Sequence, residues 1–173
     1  MDNDMYDRET GDFFTLYNDS STENPKWWAD HVPIWTTLTH QGVDVSLHHW
    51  SKCQVPFKID GKEILPKKCT PYIDSGPGNT NTDNDDVLRE AFKNVTQDLK
   101  DGAIQAAFVY SPMLDSAGHG SGPDSDGTKA EVKKVDAVIK EFIDMLEDNQ
   151  LKDSTNFIIV SDHGMTPNSE LVV

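Results

Sequence analysis

The chain has 173 residues, with 30 Asp and Glu against 15 Lys and Arg and a formal net charge of −15. That length supports one domain with a sizeable core rather than two, and no basic block exists to hold a nucleic-acid polymer. No apolar run approaches the ~18–20 residues of a membrane span, and residues 1–9 have none of the character of a signal peptide, so this segment is expected to make no membrane contact.

Residues 1–32 are polar and punctuated by Tyr6, Phe13, Phe14, Tyr17, Trp27 and Trp28, which reads as loop with a short helix or strand. The Trp27-Trp28 pair is read as core. Over 33–40, Ile34, Trp35 and Leu38 share one helical face, and Gln41-Gly42 stops the helix. Val43, Val45 and Leu47 then alternate with Asp44, Ser46 and His48, predicting a strand that ends at His49-Trp50. Strand alternation keeps His48 and His49 from reaching one ion, so both are read as structural or surface residues. Residues 51–84, rich in Pro, Gly, Asn and Thr, read as a long irregular excursion of the kind that carries function or disorder.

Regular structure returns at Asp86. Val87, Leu88, Ala91, Phe92, Val95 and Leu99 recur at helical spacing, with Asp85 or Asp86 as the cap and Gly102 as the stop. Residues 103–110 form a short apolar run suited to a buried parallel strand. Thr128 to Glu131 read as a capping box opening a helix whose stripe is Val132, Val135, Ile139, Phe142 and Leu146. Residues 156–160, NFIIV, are predicted as a second buried strand. The order strand, motif, helix, strand, motif is a βαβ unit, and sites in open α/β sheets form beyond the carboxyl ends of strands.

Both motifs fall at such ends. In the first, residues 111–124, Asp115 and His119 are separated by three residues that include Gly118; in the second, residues 160–165, Asp162 and His163 are adjacent. Either alone is explained by a turn or a helix cap. Together they bring carboxylates to one place, where they repel each other without a cation. Asp oxygens and neutral His nitrogens are Zn²⁺ ligands at roughly 2.0–2.2 Å, and two ions about 3.5–4 Å apart are a recurrent device of phosphoryl chemistry. Tyr110, closing the strand before Asp115, either lines a pocket or covers the sheet end. No serine near the motifs stands in a nucleophile elbow. Cys53 and Cys69 are compatible with a disulfide, as in extracellular chains, or with two core thiols. Asn18 and Asn94 open glycosylation sequons that count only in the secretory pathway.

The motifs D-x-x-G-H-x-x-G-P and V-S-D-H-G-M resemble the metal-binding half of the ectonucleotide pyrophosphatase/phosphodiesterases, in the alkaline phosphatase superfamily. Residues 2–7 (DNDMYD), 25–28 (PKWW), 33–37 (PIWTT) and 43–50 extend the likeness through most of the chain. The resemblance implies an α/β, alkaline-phosphatase-like fold, a mostly parallel sheet flanked by helices. Residues 1–173 would form a single partial phosphodiesterase catalytic domain, lacking the N-terminal nucleophile region and the C-terminal ligand region. It further implies two Zn²⁺ ions, one on Asp115 and His119 and the other on Asp162 and His163. Asn3 would contact a phosphate oxygen, and Trp50, Tyr72 and Tyr110 would line the substrate pocket, where a nucleobase stacks.

The implied reaction is zinc-dependent hydrolysis of phosphodiester or pyrophosphate bonds in extracellular nucleotides through a phospho-threonine intermediate. The alternatives are a non-catalytic nucleotide-binding remnant and a phosphodiesterase of lysophospholipid or choline-type diesters. The implied location is extracellular or at the cell surface. The family's threonine, one metal-binding Asp and one His have no counterpart in these residues. The isolated polypeptide is therefore expected to be inactive and to bind zinc weakly.

Overall fold

The structure is a computed structural model that describes residues 4–15, 19–28, 31–72 and 84–167. The backbone gathers into two units, Met1–Asn79 with Gly102–Tyr110, and Thr80–Asp101 with Ser111–Val173.

The first unit opens with an antiparallel pair, β1 (Asp4–Tyr6) and β2 (Phe13–Thr15). A short helix, α1 (Asp19–Thr22), follows, then a 3-10 turn over Pro25–Trp27. As expected of a packed pair, Trp27 and Trp28 are half-buried and meet Phe14 edge to face at 5.6 and 6.1 Å. Helix α2 (Ile34–His40) ends at Gln41-Gly42, where Gly42 adopts φ +84. Strand β3 (Val45–Trp50) is the centre of a parallel three-stranded sheet in which β6 (Lys68–Pro71) and β7 (Ala106–Val109) flank it. The side chain and backbone of Gln105 both bond the backbone of Asp44, fixing the register with which β7 enters beside β3.

Val45, Leu47 and Cys53 are fully buried on one face of this sheet, and Trp35 and Leu38 of α2, with Trp50, Cys69 and Phe108, pack onto them. The excursion after β3 is more regular than its composition implies. Between β3 and β6 lies a hairpin, β4 (Phe57–Ile59) and β5 (Lys62–Ile64), turned by Asp60 and Gly61 with φ of 52 and 77. Positive φ at both central positions is the geometry an Asp-Gly turn favours. Cys53 and Cys69 form a disulfide with a Cα–Cα distance of 5.7 Å, tying the turn after β3 to β6.

The second unit is helical. In α3 (Asp85–Lys100) the cap is Asn84, whose side chain accepts from the Val87 N–H at 3.0 Å, rather than either aspartate of the first turn. In α5 (Asp126–Asp148) Ser125 caps, accepting from the Thr128 N–H at 3.1 Å. The Thr128 hydroxyl instead donates to the Gly122 carbonyl at 2.8 Å, so helix α5 begins a turn earlier than a capping box at 128–131 would place it. Its buried residues are Val138, Phe142 and Leu146, whereas Val132 is 48% exposed and lies outside the packed stripe. Helices α3 and α5 join through Phe92 and Phe142, stacked at 4.2 Å with their planes 14° apart. At the rim, Arg89 grips both oxygens of Glu141, at 2.7 and 3.2 Å.

Residues 156–160 depart from expectation: they join no strand among the described residues, and Ile158 and Val160 are 78% and 80% exposed. Phe157 alone is anchored, edge-on to Phe142 at 5.2 Å and to Phe92 at 6.3 Å. The βαβ reading is thus met by β7 but not by a second strand. An apolar run marks a segment that burial favours, and the pairing that makes it a strand depends on a neighbour the run does not specify.

Candidate metal centre and aromatic cluster

The first motif is a helix rather than a turn. Residues Met113–Ser121 form α4, which ends at Gly122 with φ +89. Helical spacing places Asp115, Gly118 and His119 on one face, and His119 Nε2 stands 3.4 Å from Asp115 Oδ1. The second motif, residues 161–165, lies outside any helix or strand, with a bend at Asp162, and comes up to this face. There His163 Nε2 reaches within 3.7 Å of the same Asp115 oxygen and 3.8 Å of Asp162 Oδ2. All four residues expected as ligands therefore gather in one unit, with Asp115 between the two imidazoles.

Local bonds orient the second pair. The His163 N–H donates to Asp162 Oδ1 at 3.1 Å, and the Ser161 hydroxyl donates to the His163 carbonyl. His163 Nδ1 lies 3.0 Å from the Gly164 carbonyl. A carbonyl only accepts, so Nδ1 carries the proton and the Nε2 lone pair is turned toward the carboxylates, the tautomer a metal-binding histidine uses. That carbonyl, and then Asp162 and Asp115, raise the His163 pKa above its ordinary value.

The donor set suits a divalent cation. Asp115 Oδ1 is buried and has no hydrogen-bond donor, although two imidazole nitrogens face it. A buried carboxylate oxygen without a donor carries an uncompensated desolvation cost that a cation removes. Among the described residues, however, no three His, Cys, Asp or Glu side chains form a ready-made cage. The site consists of two imidazoles facing Asp115, with Asp162 beside the second of them.

The residues expected at a substrate pocket also come together, in the first unit. Trp50 and Tyr110 meet edge to face at 6.5 Å, and Tyr110 and Tyr72 at 5.5 Å. The cluster continues through Trp35 and Phe108, each 5.6–5.7 Å from Trp50. Neither of these two was expected in it; Trp35 lies in α2, and no local spacing links it to Trp50. A β-bulge makes this arrangement possible. His49 takes φ 52, and the pairing with β6 slips between His48 and Trp50. Strict alternation would put residue 49, not 50, on the face of Val45 and Leu47; the extra residue turns Trp50 back onto it. His48 is buried and His49 half-buried, in keeping with a structural role. Asn3 lies outside the described residues.

A parallel α/β sheet succeeded by Asp–His pairs places the chain among proteins of alkaline-phosphatase-like architecture. More particularly, it belongs to the type I phosphodiesterase/nucleotide pyrophosphatase family, whose model matches residues 1–173. The chain is 30% identical over 173 residues to a pyrophosphatase/phosphodiesterase of Schizosaccharomyces pombe, covering 98% of this chain and 33% of that one. It is 32% identical over 172 residues to ectonucleotide pyrophosphatase/phosphodiesterase family member 1 of Rattus norvegicus, covering 98% of this chain and 17% of the relative. The chain thus spans a third or less of the length of these curated relatives. Among solved structures, an inactive variant of murine ectonucleotide pyrophosphatase/phosphodiesterase 5 in complex with AMP superposes with a TM-score of 0.65 at 25% identity. That match covers 87% of this chain and 36% of the other. The family is one of nucleotide pyrophosphatases and phosphodiesterases.

Proposed function

We propose that this chain contributes zinc ligands and a base-stacking surface to a hydrolase of nucleotide phosphodiester or pyrophosphate bonds. The observation that carries the reading is the buried, donorless Asp115 Oδ1 faced by His119 and His163 at 3.4 and 3.7 Å. Asp115 with His119 would hold one zinc, and Asp162 with His163 the other, each shared with further ligands. Bound zinc supplies Lewis-acid stabilisation of charge on the phosphate and activation of a nucleophile. The protein's own part is to keep Nδ1 of His163 protonated against the Gly164 carbonyl and to bring His163 up to the α4 face that carries Asp115 and His119. Asn3 would donate to a phosphate oxygen as charge builds on it.

Trp50, Tyr72 and Tyr110 would take the base. The AMP held by the murine relative supports a nucleotide as ligand here. A threonine nucleophile and its phospho-enzyme belong to the same reading, and none of the motifs in residues 1–173 supplies that threonine. The Cys53–Cys69 disulfide supports an extracellular or cell-surface location, as do the ectonucleotide relatives. No described helix is long and apolar enough to cross a membrane. Of the two sequons, Asn94 is exposed on α3, but its Thr96 is 5% exposed and donates to the Phe92 carbonyl at 2.8 Å. Glycosylation there would have to precede folding. Asn18 lies outside the described residues.

The test is calorimetric titration of the chain with zinc alone, beside a variant carrying Asp115→Asn, His119→Asn, Asp162→Asn and His163→Asn. The expected result is binding weakened by at least about tenfold in the variant, and equal affinities would overturn the reading. In the protein that carries this segment, a bis-aryl phosphate diester should be cleaved faster than the monoester. AMP binding without turnover of either reporter would favour a nucleotide-binding protein instead, and faster cleavage of choline-type diesters would redirect the substrate class.

A further inference from the structure

Gly118 lies on the same face of α4 as Asp115 and His119, and it is buried. A methyl group added at Gly118 would overlap the sulfur of Met165 and come within 3.0 Å of its Cε. The Met165 thioether therefore fills the notch that the missing side chain leaves between the two ligand-bearing positions. Met165 is half-buried and follows His163 by two residues in the same segment.

We propose that Met165 is a positioning residue: its seat on Gly118 latches the second Asp–His pair against the first. What the latch positions rests on the zinc reading given above, but the latch itself is a matter of packing. Residues 161–167 have no regular structure, and the bonds that shape them are local ones, from Ser161 to His163 and within Asp162 to Gly164. Such bonds shape the segment without attaching it to α4. Among the described residues, this segment meets α4 through the approach of the exposed His163 imidazole to Asp115 and the Met165–Gly118 contact. Because two residues span at most about 7 Å, anchoring residue 165 over residue 118 confines His163 to the neighbourhood of Asp115. An unbranched thioether suits the role, since it adapts to an irregular notch.

The glycine is accounted for by the same contact. In a helix interior, glycine is a poorer choice than alanine, and Gly118 has ordinary helical rather than positive φ. Its use there is room for the sulfur.

The experiment is NMR of the whole chain with ¹³C-methyl methionine, in wild type and in Met165→Ala, Met165→Leu and Gly118→Ala variants. The Met165 methyl should show cross-relaxation to the Gly118 α-protons, and the His163 ring to Asp115 and His119. Met165→Ala should abolish the His163 cross-peaks while the amide pattern of α4 persists, and Met165→Leu should restore most of them. Gly118→Ala should leave α4 at least as helical and shift the Met165 methyl to the position of a solvent-exposed methionine. In Met165→Ala, adding Gly118→Ala should then change nothing further. Persistence of the His163 cross-peaks in Met165→Ala would overturn the proposal, as would their failure to recover in Met165→Leu. Zinc titration of the same variants separates the two readings. Lost cross-peaks with unchanged zinc affinity uphold the latch and reject zinc at the second pair, whereas retained cross-peaks with weakened affinity reject the latch.

Discussion

His49 shows how much a single backbone angle decides. A non-glycine residue at φ 52 is costly unless its surroundings impose it, and here the return is Trp50 on the core face with Trp35 and Phe108. Replacing His49 by glycine should therefore keep the tryptophan couplet in the near-ultraviolet spectrum and leave stability equal or higher. His49→Val should cost about 1–2 kcal/mol, because a β-branched residue resists the left-handed region; urea unfolding measures both. Burial also lowers the His49 pKa, and its Nδ1 is buried without a partner. The unfolded chain then takes up this proton near the ordinary histidine value of about 6.5, and the folded chain only at lower pH. This contribution to stability is absent above neutrality and becomes a loss as the pH falls below about 6.5. His163 acts in the opposite sense: its raised pKa adds stability at low pH that fades as pH rises through the folded value. Denaturation between pH 5 and 7 should show His49→Gly more stable than wild type toward the acid end, and His163→Asn less stable there.

At the level of elements, the sequence was legible wherever a local rule was sufficient. Helix α2 and its glycine stop, the periodic α3, and the apolar β7 all formed where spacing placed them. Asp60-Gly61 between two short alternating segments was a readable hairpin signal, obscured by the irregular composition around it. The caps went to the residues just upstream, Asn84 and Ser125, because capping needs an extended residue before the first turn and not a polar one within it. What no local rule supplied was the pairing of elements. The four ligand-type residues were nameable from two motifs, but the approach of both imidazoles to one oxygen of Asp115 depends on α4 being a helix and on residues 161–165 lying against it, with Met165 over Gly118. The Phe92–Phe142 stack joining α3 to α5 is likewise a tertiary event. Phe142 is 4% exposed and also meets Phe157, so Phe142→Ala should cost about 3–5 kcal/mol. Phe157→Ala, at 38% exposure, should cost clearly less. Urea midpoints of the two variants check this order, and equal losses would contradict the packing described.

For the molecule as a whole, charge is the governing quantity. A formal net charge of −15 on 173 residues sets up self-repulsion in the compact state and an unfavourable field for any phosphate ester. Many of the cationic side chains are already engaged with carboxylates, among them Lys26 with Asp7 and Asp12, Lys67 with Asp44, Arg89 with Glu141, Lys134 with Glu131, Lys140 with Asp144 and Lys152 with Glu147. These surface pairs relieve local repulsion but offer little to an incoming anion. Around the candidate centre the bias is stronger, since Asp115 and Asp162 face imidazoles that are cationic only when protonated. Binding of a nucleotide phosphate should accordingly depend on cations supplied from solution. With zinc present, AMP titrated into the chain should bind measurably. With a chelator in excess, affinity should fall by at least about tenfold, more than 1.4 kcal/mol, and 0.5 M sodium chloride should not restore it. Salt screens long-range repulsion within a Debye length of a few ångströms but supplies no ligand-bound charge. If salt alone recovered the affinity, the phosphate would be meeting only the diffuse field of the acidic surface, and the pairs around Asp115 would have no part in holding it.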